Sequence, residues 1–151
     1  MTNPLFIVVR YGLIDSFDAI EEIEKVIKQK GQAWFGKYGE PIKQNIEARL
    51  KDGEENIFVI LVRKSTKGES GGYRFKVFRL KEISRMPPKN TSDFPKYYAK
   101  TMSRIGCWLL LDLYKGPKLE LANLVVRSSL QRLPQTLGSS MRAHFYCRLW
   151  S

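Results

Sequence analysis

Apolar positions along the chain change period several times, and each change marks an element. Residues 5–12, LFIVVRYG, are rich in β-branched and aromatic types and predict a strand. SFDAIEEIEKVIKQKG (16–31) then takes helical spacing, with Ile20, Ile23 and Ile27 in one apolar stripe. Asp15 or Ser16 is the expected cap. Asp18, Glu21 and Glu22 suit the positive N-terminal end, Lys28 and Lys30 the negative C-terminal end, and Gly31 the position just past it. A second helix is predicted over 41–53, PIKQNIEARLKDG, with Pro41 in its first turn, Ile42, Ile46 and Leu50 every four residues, and Gly53 at its end. QAWFGKYGE, between the two helices, reads as a short strand or loop.

Further along, NIFVILVRK (56–64) reads as a buried strand and STKGESGG (65–72) as a turn. YRFKVFRLKEI (73–83) alternates, with Tyr73, Phe75 and Val77 on one side and Arg74 and Lys76 on the other, which predicts a hairpin with one basic, solvated face. Residues 84–104 carry three prolines and no clear period, the mark of a long functional loop. IGCWLLLDLY (105–114) is a strand with Cys107, Leu109, Leu111 and Leu113 on one face and Trp108, Leu110, Asp112 and Tyr114 on the other. LELANLVV (119–126) fits a strand or a short helix, RSSLQRLPQTLGSSMR (127–142) a polar, basic loop, and AHFYCRLW (143–150) a closing strand. Strands with segregated helices predict an α+β fold, a small curled or closed β-barrel flanked by two or three helices, in a single domain over 1–151.

Composition adds a class. The chain has 151 residues, 43% hydrophobic, and no apolar run approaches the ~20 residues of a spanning helix. No signal-peptide layout opens it, and Cys107 and Cys147 are expected as reduced thiols in a cytoplasmic protein. The net charge of +11 is lopsided. Residues 1–72 hold 11 of the 26 Lys+Arg and 11 of the 15 Asp+Glu, so all the excess lies in residues 73–151. Such an imbalance attracts polyanions, most often nucleic acid.

Several chemistries are missing from the sequence. A single histidine, His144, with two distant cysteines does not make a zinc site, and neither a deaminase signature nor a phosphate-cradling glycine loop occurs. No metal, no cofactor and no catalytic role are therefore expected. A metal-free ribonuclease working with His144 and nearby basic groups is the alternative, and an interaction domain for an acidic protein a third.

AWFGKYG and FPKYYAK pair rings with glycines and lysines. Rings not needed for packing can stack on a base, and glycines let backbone approach a ligand. The alternative is a place in the core between two helices, for Phe35 more than for Trp34, since alternation sends neighbours to opposite faces. The order of LFIVVRYG, QAWFGKYGEPI, ENIFVILV, YRFKVFRL, DFPKYYAK and RIGCWLLLDLYKGP resembles the PUA-like superfamily, particularly its EVE and YTH branches, over about residues 5–130.

The resemblance implies a nucleic-acid-binding module that holds a flipped or unpaired, methylated base in an aromatic cage. Trp34 matches one cage tryptophan. Tyr97 or Tyr98 stands where the family pattern has another, and Arg127, Ser128 and Arg132 match the phosphate-contacting stretch. Similar domains read DNA for modification-dependent restriction systems, which implies an NTPase or nuclease as partner or fused domain. The expected base site is thus Trp34, Phe35, Tyr97, Tyr98, Trp108 and Asp112, the last accepting a hydrogen bond from an exocyclic amine. Phosphates are expected on Arg74, Lys76, Lys96, Lys100, Arg127, Ser128, Arg132 and Arg142, with DNA or RNA as the partner and no membrane.

Overall fold

The computed structural model describes residues 3–13, 16–66, 68–69, 71–89, 95, 98 and 101–150. Along them run β1 (Leu5–Arg10), α1 (Ala19–Lys30), β2 (Ala33–Tyr38), α2 (Gln44–Lys51), β3 (Ile57–Lys64), β4 (Tyr73–Ser84), β5 (Ile105–Leu113), β6 (Leu124–Val126), α3 (Leu133–Ser139) and β7 (His144–Leu149). The strands form one mixed sheet in the order β2-β5-β4-β3-β1-β7-β6. Among the described strands only β1 and β3 pair in parallel, from Leu5↔Ile57 to Arg10↔Val62, because α1, β2 and α2 form the crossover between them. The fold is α+β.

Alternation along β1 sends Leu5, Ile7 and Val9 to one face of the sheet, where α1 and α2 lie, and Phe6 and Val8 to the other, under α3. On the first face Ile20, Ile23 and Ile27 are at most 5% exposed. Burial of such a side chain contributes about 1.5–3 kcal/mol. Leu133 and Leu137 of α3, with Phe145 and Cys147 of β7, fill the second face.

The sheet curls without closing. No ladder joins β2 to β7 or β6 among the described residues. Yet the chain just after β2 reaches β7, where the Lys43 backbone N–H donates to Tyr146 Oη at 3.0 Å. Of the curled or closed barrel expected from the pattern, the structure has an unclosed seven-stranded sheet, with a hydrogen bond from the segment after β2 to β7.

Three local expectations are corrected. Asp18, not Ser16, caps α1, its Oδ1 accepting from the Ile20 N–H at 3.0 Å, and Asp15 lies outside the described residues. The second helix begins at Gln44 rather than Pro41. The carbonyls of Tyr38 and Glu40 accept from the Lys37 ammonium and that of Ile42 from Arg85, so side chains hold this segment before the helix starts. The polar stretch 127–142 contains α3, with Pro134 in its first turn and Leu133 and Leu137 one turn apart on its buried side. Its last carbonyls are held from afar, since the Arg10 guanidinium donates to Leu137 O (2.8 Å) and Ser140 O (2.6 Å).

Candidate anion-binding pocket

Where β7, the end of β6 and the start of α2 meet, the surface opens into a cleft of about 430 Å³. β7 supplies His144 and Tyr146 from one face, by its alternation. The loop after β6 supplies Arg127 and Ser128, tied down by the Arg127 N–H donating to Tyr146 O at 2.8 Å. Lys43 arrives from before α2 and Arg142 from before β7. The Lys43 ammonium sits 5.1 Å from the Tyr146 ring centroid, and that ring meets His144 edge to face at 5.3 Å.

The field in this cleft is positive. Among the described residues Lys43, Arg127 and Arg142 make no ion pair, and Glu40 is the sole carboxylate in the lining. Burial first, and then the charge of Lys37, push the His144 pKa down to about 4; Glu40 opposes them, and Arg142 and Lys43 add smaller downward pushes. His144 is thus neutral near pH 7. Lys37 is 1% exposed and spends its donors on the carbonyls of Tyr38 and Glu40, so it adds field rather than contact. Burial raises the Tyr146 pKa, which keeps the phenol neutral. Such a cleft is suited to a phosphate-sized anion, with three cations to neutralise it and a neutral ring system to one side.

The structure brings together Arg127, Ser128 and Arg142 from the expected phosphate set. Arg132 stands across the 127–131 turn, its guanidinium 4.5 Å over the Trp150 ring. Arg74 and Lys76 lie away from the cleft: their side of β4 faces α1, where Arg74 pairs with Asp18 (3.1 Å) and Glu21 (3.6 Å) and Lys76 with Glu24 (3.4 Å). Acids of the first half neutralise them there. Lys96, Lys100 and Tyr97 lie outside the described residues.

The aromatic set is packed shut. Trp34, Phe35, Tyr98 and Trp108 are 8%, 3%, 0% and 1% exposed. Tyr98 stands edge to face with both Phe35 (6.5 Å) and Trp108 (5.2 Å). Opposite faces of β2 are both covered, so alternation frees neither Trp34 nor Phe35. A Cβ on Gly36 would lie 2.6 Å from Ile105 Cδ1 and 3.1 Å from Tyr98 Cε1. That glycine admits a core ring, not a ligand. Asp112 is taken as an acceptor by Arg79 (3.3 Å) and by the Leu113 N–H (2.7 Å). In place of an open cage, the described residues form a closed cluster.

Sequence reasoning missed Lys43, Tyr146, Lys37 and Arg10. Tyr146 was accessible to it, two positions after His144 on an alternating strand. Lys43 was not, because its approach depends on the curl of the sheet. No helix among the described residues is long and apolar enough to cross a membrane. Compared with known proteins, the chain matches no family model, no curated protein and no solved structure.

Proposed function

We propose that this chain is a nucleic-acid-binding module that takes backbone phosphate in the cleft at Lys43, Arg127 and Arg142. The observation that carries this reading is the convergence on one cleft of three cations that make no ion pair among the described residues, in a chain of net charge +11. The finer reading is a PUA-like, EVE/YTH-like domain that recognises a methylated base, acting beside an NTPase or nuclease. It rests on the order of elements and on the curled sheet with helices on both faces, and it requires the cluster around Trp34 to admit a base.

Binding is expected to weaken steeply with salt, since each neutralised phosphate contributes about −0.9 to the log–log slope on duplex and about −0.7 on single strands. Arg127→Ala and Arg142→Ala each flatten that slope by about one such unit in fluorescence-anisotropy titrations. A slope near zero with binding still measurable, or one untouched by both substitutions, removes the reading.

One observation favours a second reading. His144 shares the cleft with Tyr146 and the three cations, the residue types of a metal-free ribonuclease. The expectation is nevertheless binding without turnover, because among the described residues no second group is hydrogen-bonded to His144 as base or acid. Labelled RNA and DNA incubated with the protein, with and without zinc or magnesium, should stay intact. A product that disappears in His144→Ala gives the nuclease first place.

A further inference from the structure

The cleft holds phosphate but offers little open ring surface, since Tyr146 lies under Lys43 and packs against the core. Exposed aromatic surface lies nearby on the other side of β6. Of the three tryptophans, Trp150 is 52% exposed while Trp34 and Trp108 are buried. It is held in place: its backbone N–H donates to Asn123 O at 2.6 Å, just past the β6–β7 ladder. Its ring carries the Arg132 guanidinium at 4.5 Å, and Arg132 in turn bridges to Val125 of β6.

The turn between pocket and platform is shaped by strain. Leu130 takes φ +60, a left-handed conformation unfavourable for leucine, and is 61% exposed. The Leu130 N–H bonds Val126 O (2.8 Å) and the Val126 N–H bonds Gln131 O (2.9 Å). This tight turn sets Arg127 on the cleft side and Arg132 on the tryptophan side. Along β7, Cys147 opposite Val126 is three residues from Trp150, about 10 Å at the rise of a strand.

We propose that Trp150, with Arg132 stacked on it, is a base-stacking platform, and that the ligand is a single-stranded segment whose phosphate enters the cleft at Arg127 and Arg142. The proposal rests on the phosphate reading above and adds the strand state of the ligand. A duplex buries its base faces, whereas a single strand offers a π-face from every base, whatever the sequence. Charge complementarity selects this occupant over an apolar partner, because Arg132 stacks on the exposed ring, Arg127 and Arg142 line the neighbouring cleft, and none of the three makes an ion pair among the described residues.

The test compares a labelled dT 12-mer and U 12-mer with an abasic 12-mer of the same phosphate count, at one stated salt. The parent protein is expected to bind the base-bearing strands about five- to 150-fold tighter than the abasic one. Trp150→Ala, its melting temperature checked, loses this preference and binds all three at the abasic level, while Trp150→Phe retains part of it. A parent without preference for bases, or a Trp150→Ala variant that keeps it, overturns the platform and leaves the phosphate cleft standing. If the parent binds none of the three strands, the platform and the phosphate reading fall together.

Discussion

Trp34→Ala is expected to cost about 3–5 kcal/mol of stability, the range for removing a buried aromatic side chain. Trp34 is 8% exposed in the core shared with α1 and β5, and it stands opposite Leu110 in the β2–β5 ladder. Truncation leaves a cavity in rigid sheet surroundings that collapse poorly around it. Urea denaturation at pH 7 measures the loss directly. Titration of the same preparation with oligonucleotides differing only in methylation then separates two roles. If Trp34 is only a core residue, affinity for methylated and plain strands falls together, in proportion to the unfolded fraction. A variant that melts like the parent and loses only its preference for the methylated strand would show that the cluster opens to admit a base, and would return Trp34 to the binding site.

The burial of Trp34 has its physical reason in topology. Period two puts Trp34 and Phe35 on opposite faces, so one ring of the pair is expected to be free. That inference holds for a sheet with one solvated face. Here β2 pairs with β5, the α1 side covers one face, and Tyr98 with Ile105 covers the other over Gly36. Local signals worked where the interaction is local. The isoleucine stripe of α1, its acidic first turn, its basic last turn and Gly31 in the left-handed region stand as expected. The β3–β4 hairpin is also legible from alternation around a glycine-rich turn.

Long-range pairing was not legible. Arg74 and Lys76 read as a free basic face, yet acids 50 or more residues earlier fold onto them. α3 was hidden in a polar tract because its buried side offers only Leu133, Thr136 and Leu137, and because Arg10 holds its C-terminal end across 127 positions. Of the candidate site, Arg127 and Ser128 were readable from the resemblance and Arg142 from the basic second half of the chain. Lys43 and the cleft itself follow from the curl of the sheet, which no local pattern encodes.

Asp18→Asn is expected to destabilise the protein by about 3 kcal/mol at pH 7, the lower end of what breaking a buried ion pair costs. The Asp18 side chain is 6% exposed and caps α1. It accepts from Tyr11 Oη, from the Arg63 guanidinium (2.8 and 3.0 Å) and from Arg74 Nε (3.1 Å). Asparagine keeps the capping oxygen but leaves Arg63, 8% exposed, with Glu69 as its carboxylate among the described residues; that pair holds the loss near the lower bound.

Acidity gives the sign of a second readout. Burial alone would raise the Asp18 pKa, but the hydrogen bonds from Tyr11, Arg63 and the Ile20 N–H outweigh it and hold the carboxyl below its ordinary value. A folded pKa below the unfolded one contributes stability that is present above about pH 4 and is lost as pH falls through the folded value. The gap between parent and Asp18→Asn should therefore narrow on acidification. At the alkaline end, burial and then the bond to Asp18 hold the Tyr11 pKa above its ordinary value. Unfolded Tyr11 ionises from about pH 10, before the folded phenol does, so the parent loses stability as pH rises beyond that. The variant, lacking the carboxylate, should lose less. Urea melts of both proteins at pH 3, 7 and 10.5 test this: a gap that stays constant across the three would mean that the Asp18 charge contributes nothing, and that only the cap and its packing matter.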